Sequence, residues 1–316
     1  MRIRIPTITL NNKIDIPVIG LGTWKSKGNE TYNIVKEALL MGFRHIDCAA
    51  FYQNEKEIGN AIRECINNEK SGIKREQLYI TSKLWNTKHR PECVEAACKE
   101  SLKDLSLDYL DLYLMHWPMA YKEGPALVPI DNRRKVLYSS VKYVDTWKAM
   151  EELVKNNLTK SIAVCNFNKR QIETLLKDAT IKPVINQVEC HPFLNQSNLK
   201  NFCNKNDIQI TCFSPLGSRD RPWAKRGEAA VLDNEVILRL SKKYKKSQAQ
   251  IVLRYQFQRG NISIPKTARK ERLSENANIF DYTLKQEDME LIDSLNINYR
   301  YIADRDHPDY PFRDPF

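Results

Sequence analysis

Hydrophobic positions along this chain follow two periods in turn. Short apolar runs, which predict buried β-strands, are separated by stretches in which apolar residues recur at the spacing of an amphipathic helix. The runs that predict strands are PVIGLGT, RHIDCA, LYITSKL, LDLYLMHW, KSIAVCNF, VINQVEC, IQITCFS and ISIP. The stretches with helical periodicity lie near residues 29–41, 54–68, 91–104, 144–156, 168–178, 196–206, 232–258 and 270–279.

This alternation predicts the α/β fold class. Repeated strand–helix units form a parallel sheet, and eight such units close it into a (β/α)8 barrel. A doubly wound sheet is the competing architecture, but it would carry a glycine-rich phosphate turn after its first strand, and GLGTWKSKG lacks the third glycine at the required spacing. Because no linker or composition shift divides the chain, residues 1–316 are expected to form one barrel domain.

Three segments fall outside the repeat. The first ten residues alternate and reach Asn11-Asn12, which tolerates the left-handed backbone of a tight turn, and so predict a β-hairpin ending near Ile16. Residues 118–143 after the fourth strand and residues 215–231 after the seventh are too long for simple turns. Loops of that length are usually lids or binding loops, so both are expected at the C-terminal face of the barrel.

Composition and charge are those of an ordinary globular protein. Of the 316 residues, 42% are hydrophobic and 28% are charged, which argues against disorder. The net charge of +11 raises the possibility of a nucleic-acid partner, because lysine and arginine neutralise phosphates. The basic residues are interleaved with acids, however, as in KEIGNAIRECINNEK, and this pattern favours a solvated surface. We therefore expect no nucleic-acid partner.

The cysteines and the N-terminus indicate the compartment. The eight cysteines show neither CxxC pairs nor zinc-ligand spacing, so we expect free thiols, a reducing environment and no metal site. The segment MRIRIPTITLNN has no long apolar core or small-residue cleavage site. No stretch approaches the roughly 20 apolar residues that span a bilayer. The expectation is a cytoplasmic protein that does not bind a membrane.

Four polar residues lie at or near the C-terminal ends of consecutive predicted strands. They are Asp47 on the second strand, Tyr52 in the loop after it, Lys83 on the third strand and His116 on the fourth. In a (β/α)8 barrel this end carries the active site, so the four side chains are expected to meet, and together they suit proton transfer. A phenol with a pKa of about 10 needs a nearby cation to become more acidic. Lys83 can supply that charge, while Asp47 offsets the burial of the ammonium.

Each of these residues also has a structural interpretation. Asp47 and Lys83 can form an ion pair without a chemical role, and His116 can be a hydrogen-bonded core histidine. Together at successive strand ends, the four residues favour the functional interpretation. His45, on the strand beside Asp47, and His191 are expected to be structural.

A family resemblance rests on motifs spread across nearly the whole chain. GFRHIDCAAFYQNEKEIG, ITSKLWN, LDLYLMHWP, NFN, INQVECHPFL, SPLGS and IPKTARKERLSEN resemble those of the aldo-keto reductases, in the same order. Members of this family are (β/α)8 barrels that reduce aldehydes and ketones with NADPH. The resemblance implies that Tyr52 is the general acid, that Asp47 and Lys83 tune its acidity, and that His116 orients the carbonyl.

The same resemblance implies contacts to NADPH or NADP+. Asn166 and Gln187 would hold the nicotinamide carboxamide, and Cys165 stands where a serine commonly precedes that asparagine. A thiol is a weaker hydrogen-bonding group than a hydroxyl. Phe213 stands where a tyrosine usually stacks on the nicotinamide, so the stacking face is kept. The other cofactor-binding residues implied are Thr23, Trp24, Lys25, Ser214, Leu216, Ser218, Asp220, Lys266, Thr267, Arg272, Glu275 and Asn276.

Positive charge is concentrated in the segment IPKTARKER. A loop that follows a barrel strand and leads into a helix favours an anion, because backbone N–H groups and the helix dipole point at it. The resemblance implies that Lys266, Thr267 and Arg272 contact the 2′-phosphate and that Glu275 and Asn276 contact the adenine. These residues favour NADPH over NADH.

Residues 219–231, within the long loop after the seventh strand, are named the strap. The resemblance implies that Asp220 pairs with Lys25 and Lys266 and so closes the strap over the pyrophosphate, with Ser214, Leu216 and Ser218 beneath it. A closed strap would slow cofactor release.

Aromatic residues predict the substrate pocket, which should favour apolar or aromatic carbonyls. The tail RYIADRDHPDYPFRDPF resembles the ending of the aldehyde reductase branch, and Arg305 in its RDHP context implies acidic substrates. A steroid-like ketone remains an alternative. The residues predicted to line the pocket beside Tyr52 and His116 are Trp24, Trp85, Trp117, Trp223, Tyr301 and Arg305.

A second functional hypothesis belongs to another class. Some barrels of this family are lens components or channel-associated subunits, so the chain can also be a cofactor-binding barrel with a structural or regulatory role. The intact Asp47, Tyr52, Lys83 and His116 favour catalysis. A small-molecule carbonyl compound is the expected partner, and a monomer is the family expectation.

Overall fold

A β-hairpin begins the structure, a computed structural model that describes residues 3–302 and 310–313. Strand β1 (Thr7–Thr9) pairs antiparallel with β2 (Asp15–Pro17), which confirms the predicted hairpin. The left-handed turn residue is Lys13, with φ of 68°, rather than either asparagine. The side chain of Asn11 instead donates to the backbone oxygens of Pro183 and Asp207, which precede two barrel strands. The hairpin is therefore held across the N-terminal end of the barrel.

The central sheet has eight parallel strands in sequence order. Its two edges meet, because Gly20 N donates to Ser263 O and Gly22 N donates to Pro265 O. The closed sheet confirms the (β/α)8 barrel and excludes the doubly wound alternative. The strands are β3 (Leu21–Gly22), β4 (His45–Asp47), β5 (Tyr79–Leu84), β6 (Leu112–Met115), β7 (Ile162–Cys165), β8 (Ile185–Glu189), β9 (Gln209–Phe213) and β10 (Ile262–Ser263).

Helices alternate with the strands and surround the sheet. They are α1 (Gly28–Met41), α2 (Glu55–Asn67), α3 (Pro91–Leu105), α4 (Tyr143–Lys155), α5 (Lys169–Asp178), α6 (Ser197–Lys205), α7 (Glu235–Tyr244), α8 (Gln248–Gln258), α9 (Lys270–Ala277) and α10 (Gln286–Asp293). Every residue of β5 is buried, as expected for a parallel sheet covered on both faces.

The helix predicted near 232–258 is wrong as a single element. Lys245 ends α7 with a left-handed φ of 54°. Ser247 then begins α8, because its side chain accepts a hydrogen bond from Gln250 N and Gln250 in turn accepts one from Ser247 N. The helix α10 was not predicted, since its sequence QEDMELID gives only a short apolar stripe.

Close helix contact supports the first half of the barrel. A Cβ atom on Gly59 of α2 would lie 2.5 Å from the backbone oxygen of Leu105 at the end of α3, so only glycine allows this approach.

All eight cysteines are free thiols. Within residues 3–302 and 310–313, no helix has both the length and the apolar character that a bilayer crossing requires.

Candidate active site

The four predicted catalytic side chains lie together at the C-terminal end of the barrel. Asp47 ends β4, and Tyr52 ends the 3-10 turn that follows it, Ala50–Tyr52. Lys83 lies on β5, and His116 directly follows β6, with its backbone N–H bonded to Leu84 O. Parallel pairing of β4, β5 and β6 therefore fixes their spacing.

Lys83 is the centre of this group. Its Nζ donates to Asp47 Oδ1 at 2.5 Å, to Cys48 O at 2.8 Å and to Tyr52 Oη at 3.4 Å. The side chain is fully buried, and burial by itself lowers the pKa of Lys83. The nearby Asp47 and Tyr52 outweigh that effect and raise the pKa of Lys83 above its ordinary value. Lys83 is therefore an ammonium at neutral pH.

Tyr52 responds to two opposing influences. Burial raises the pKa of Tyr52 above its ordinary value, and the charge of Lys83 lowers the pKa only in part. The sequence led us to expect a net lowering, but the loss of hydration outweighs the cation. The phenol is therefore protonated at neutral pH, which is the form that a proton donor requires.

His116 is a neutral imidazole beside the phenol. Its ring centroid lies 5.8 Å from that of Tyr52 and 5.2 Å from that of Trp85, in both cases nearly perpendicular. Burial, followed by the charge of Lys83, holds the pKa of His116 well below its ordinary value. Among the described residues, its Nδ1 has no hydrogen-bond partner. The ring carries one N–H without adding positive charge.

The residues that the sequence predicts to hold the nicotinamide carboxamide contact two of the four predicted catalytic residues. Gln187 Nε2 donates to Asp47 Oδ2 at 2.8 Å, and Asn166 Nδ2 donates to His116 O at 3.0 Å. Cys165 Sγ accepts from Asn166 Nδ2 at 3.3 Å. The buried Asn166 Oδ1 finds no partner within the described part of the chain. An unused acceptor beside a side-chain amide and a thiol fits the amide group of a nicotinamide.

The contact between Gln187 and Asp47 was missed from the sequence. Asp47 Oδ1 and Oδ2 accept from different side chains, Lys83 and Gln187, so the carboxylate is held from β5 and β8 at once. Position provided a clue, because both Asp47 and Gln187 lie near strand C-termini. Partners across a barrel interior, however, are set by closure of the sheet and not by sequence distance.

Of the two ion pairs predicted for Asp220, the one with Lys25 is present and the one with Lys266 is not. Lys25 Nζ lies 2.6 Å from Asp220 Oδ1, and Lys25 adopts a left-handed φ of 67°. Lys266 Nζ instead lies 3.8 Å from Glu30 Oε1. Burial, only partly offset by Asp220, lowers the pKa of Lys25. Beneath the strap, Ser214 and Ser218 have left-handed φ values of 47° and 41°, Leu216 packs against the barrel core, and Phe213 is half-buried at the end of β9.

The residues assigned to the phosphate and adenine surround the start of α9. Thr267 Oγ1 accepts from Arg269 N at 3.0 Å, which orders the turn before the helix. Arg272 is exposed on α9, and Asn276 is buried near its end. Glu275 accepts a hydrogen bond from Ser247 Oγ. At the other end of the site, Thr23 Oγ1 donates to Asp47 O at 2.8 Å.

The predicted pocket aromatics form two groups. Trp85 and Trp117 belong to one buried cluster with Tyr121 and Tyr310. Phe51 stacks on Trp85, with the two ring centroids 3.9 Å apart. Phe51, Tyr121 and Tyr310 were missed from the sequence, although Phe51 directly precedes Tyr52. Trp85 Nε1 also donates to Leu127 O in the long loop after β6, at 2.6 Å.

The second group lies at the strap, to which Trp223 itself belongs. The rings of Trp24 and Trp223 lie 5.9 Å apart, and Trp223 is half exposed. Tyr301 packs against His191 and lies beneath the guanidinium of Arg221. Arg305 lies outside the described residues.

Comparisons with known proteins agree with this fold. The model of the Aldo/keto reductase family matches residues 18–297. The proteins named Aldo-keto reductase family 1 member A1 from Gallus gallus and from Homo sapiens are 49% and 45% identical to the chain, and each alignment covers 98% of both sequences. The solved structure of the aldose reductase from Schistosoma japonicum superposes with a TM-score of 0.92 at 40% identity, covering 98% of this chain and 100% of that one.

Proposed function

Because the chain belongs to the aldo/keto reductase family, an enzyme family of carbonyl reduction, we propose that it is an NADPH-dependent reductase that converts aldehydes and ketones to alcohols. The observation that carries this proposal is the hydrogen-bonded chain from Asp47 through Lys83 to Tyr52, which ends beside the aromatic pocket. The structural or regulatory alternative is not favoured, since Asp47, Lys83 and Tyr52 are all present and hydrogen-bonded to one another.

Tyr52 acts as the general acid. When bound, the nicotinamide supplies a hydride to the carbonyl carbon, so charge develops on the carbonyl oxygen and a placed donor must meet it. Tyr52 gives its phenolic proton to that oxygen. The ammonium of Lys83 lies 3.4 Å from Tyr52 Oη and stabilises the phenolate that remains. Asp47 keeps Lys83 charged and in place.

Neutral His116 has a different role. Because the pKa of His116 is held far below its ordinary value, the ring is neutral at pH 7: it has no extra proton to transfer but can donate a hydrogen bond from its one N–H. It orients the carbonyl oxygen toward Tyr52, while Trp85 and Phe51 pack around the ring and exclude water.

The cofactor preference is the second part of the proposal. Asn166, with its unused amide oxygen, and Gln187 hold the carboxamide, and Phe213 faces the nicotinamide ring. Lys266, Thr267 and Arg272 contact the 2′-phosphate, Glu275 and Asn276 contact the adenine, and the strap covers the pyrophosphate. The support is the combination of cationic side chains with the backbone turn that Thr267 orders before α9.

The aromatic pocket favours apolar or aromatic carbonyl compounds. Acidic substrates remain a prediction that depends on Arg305. We further propose that residues 1–316 act as one domain and as a cytoplasmic monomer, with a small carbonyl compound and no nucleic acid as partner.

The test is the oxidation of NADPH, followed by absorbance, with a panel of aldehydes and ketones that includes a carboxylated aldehyde and a steroid. Wild-type protein is compared with Tyr52→Phe, and NADPH binding to both is measured by fluorescence. We expect turnover in the wild type and a loss of about 10²–10⁴-fold in the variant with binding unchanged. Tight NADPH binding without turnover of any carbonyl would move the function to the structural alternative.

A further inference from the structure

The segment 299–302 is fixed to the barrel by one buried carboxylate. Glu189, the last residue of β8, accepts from the backbone N–H of Tyr301 at 2.7 Å and of Ile302 at 3.0 Å. His191 Nε2 lies 2.9 Å from the same carboxylate, which is completely buried. A buried carboxylate with several donors is a strong fixed point, because leaving it unsatisfied is costly. We name residues 299–302 the brace.

The brace in turn holds the strap through hydrogen bonds from three side chains. Tyr301 Oη donates to Ala229 O at 2.7 Å, and Tyr299 Oη donates to Glu228 Oε1 at 2.5 Å. In the opposite direction, Trp223 Nε1 donates to Tyr301 O at 2.9 Å. The two tyrosines bind the C-terminal part of the strap, and Trp223 ties its middle to the same backbone.

Arg221 reinforces this contact from within the strap. Its side chain is 2% exposed, pairs with Glu228, and lies 4.6 Å above the ring of Tyr301. A cavity of about 340 Å³ lies between the strap and Tyr301. The polar contacts with the brace add to apolar contact, because Val231 of the strap and Tyr301 belong to one buried cluster.

We infer that Tyr299 and Tyr301 are positioning residues that hold the strap closed, and that NADP+ leaves only when the strap separates from the brace. The inference rests on the proposed function, since it places the cofactor beneath the strap. It adds a second attachment to the ion pair between Lys25 and Asp220. Since Trp223 contacts both Trp24 and Tyr301, the same separation opens one wall of the predicted substrate pocket.

The first test needs no cofactor. Hydrogen exchange of the backbone amides of residues 219–231 is measured in the free protein for wild type, Tyr299→Phe and Tyr301→Phe. The matched control is Tyr282→Phe, which removes a phenol-to-backbone bond of 3.0 Å, from Tyr282 to Gln250 O, next to the same apolar cluster. We expect strap exchange to accelerate about fivefold in Tyr301→Phe and about tenfold in Tyr299→Phe, whose bond is to a charged group. The control should leave it unchanged.

Strap exchange that stays at the wild-type rate in both variants overturns the inference. Faster exchange spread over the whole barrel, including β5, would also overturn it, because the tyrosines would then serve general stability. Thermal unfolding of the variants distinguishes a loosened strap, which leaves the unfolding temperature nearly unchanged, from a general loss of stability, which lowers it.

The second test measures NADP+ dissociation by stopped-flow fluorescence. We expect the dissociation rate to rise about fivefold in Tyr301→Phe, with a nearly unchanged association rate and with the control at the wild-type value. Combining Tyr301→Phe with Asp220→Asn should multiply the two effects, since the attachments are separate. Unchanged dissociation of NADP+ in the variants refutes the inference but not the proposed function. A wild-type protein that fails to bind NADPH refutes the proposed function itself. In that case the hydrogen exchange of the strap still decides whether the tyrosines hold it.

Discussion

Two lysine–aspartate pairs lie at the mouth of this barrel and differ mainly in their surroundings. Lys83 and Asp47 meet at 2.5 Å with exposed fractions of 0% and 2%, whereas Lys25 and Asp220 meet at 2.6 Å with fractions of 17% and 62%. The buried pair lies on paired strands and receives further hydrogen bonds, while Asp220 lies on the strap. Similar contact distances therefore do not mean equal strengths, because breaking the buried pair leaves an uncompensated buried charge, whereas solvent screens the exposed pair.

Removing the buried ammonium should give the largest effect. Lys83→Met leaves the buried carboxylate of Asp47 without its cationic partner, so the free energy of unfolding should fall by about 3–5 kcal/mol. Carbonyl reduction should fall by about 10²–10⁴-fold, since Tyr52 loses its cation. Denaturant unfolding and steady-state turnover measure the two losses. The control Asp47→Leu/Lys83→Met should regain much of the stability and none of the activity. A stability loss below about 1 kcal/mol in the single variant would make the two pairs equivalent.

A buried carboxylate without a lysine partner sharpens the comparison. Within residues 3–302 and 310–313, the carboxylate of Glu55 accepts hydrogen bonds only from the hydroxyls of Ser82 at 2.5 Å and Ser101 at 3.0 Å. Burial raises the pKa of Glu55 to about 7. The folded state thus binds the proton more tightly than the unfolded state does. The stability that Glu55 contributes is present below about pH 4.5 and is lost as pH rises to 7.

Measured against Glu55→Gln, which does not titrate, the wild type should lose on the order of 3 kcal/mol between pH 4.5 and pH 7. Urea unfolding at closely spaced pH values gives this difference directly. A difference that is constant with pH would show that Glu55 is ionised in the fold at a normal pKa.

Opening the exposed pair should have a small effect on stability. Asp220→Asn should change the free energy of unfolding by less than about 1 kcal/mol, because solvent and salt already weaken the pair. NADP+ dissociation should accelerate about fivefold, and raising the salt concentration should reproduce much of that effect in the wild type but little in the variant. Stopped-flow dissociation at two ionic strengths is the measurement. A salt-independent wild type would contradict the assigned role.

The smallest expected effect concerns the thiol beside both the buried pair and the cofactor site. Cys165→Ser places a stronger hydrogen-bonding group next to Asn166 and Gln187, so NADPH should bind about threefold more tightly. Fluorescence titration measures this, with Cys203→Ser, a buried thiol on α6, as the control. Weaker binding in Cys165→Ser would show that the thiol is matched to its surroundings.

How far the sequence predicts the structure depends on whether a feature is local. The positions of Asp47, Lys83 and His116 follow from strand periodicity and from the geometry of parallel pairing, so the barrel and the meeting of these side chains were predictable. The division between α7 and α8 depends on one cap at Ser247, which the apolar periodicity conceals. Gln187 reaches Asp47 across the barrel interior, a distance of 140 residues along the chain, and periodicity contains no information on such a contact.

Tyr301 illustrates the same limit within the candidate site. An aromatic residue near the pocket was predicted to contact substrate, yet its hydroxyl and its backbone bind the strap and Glu189. Only the path of the chain after α10 decides between these environments. The direction of the pKa shift of Tyr52 was mispredicted for a related reason. The sequence identifies a neighbouring cation but not the loss of water around the phenol.

The carboxylate of Glu189 has a consequence for biosynthesis. Its donor at Tyr301 follows it by 112 residues, which takes on the order of 10 s to translate. During that interval β8 can pair with its neighbours while the carboxylate still lacks its backbone donors. A nascent barrel should therefore acquire its sheet before its brace, and the ability to retain cofactor should appear among the last properties of the newly made chain.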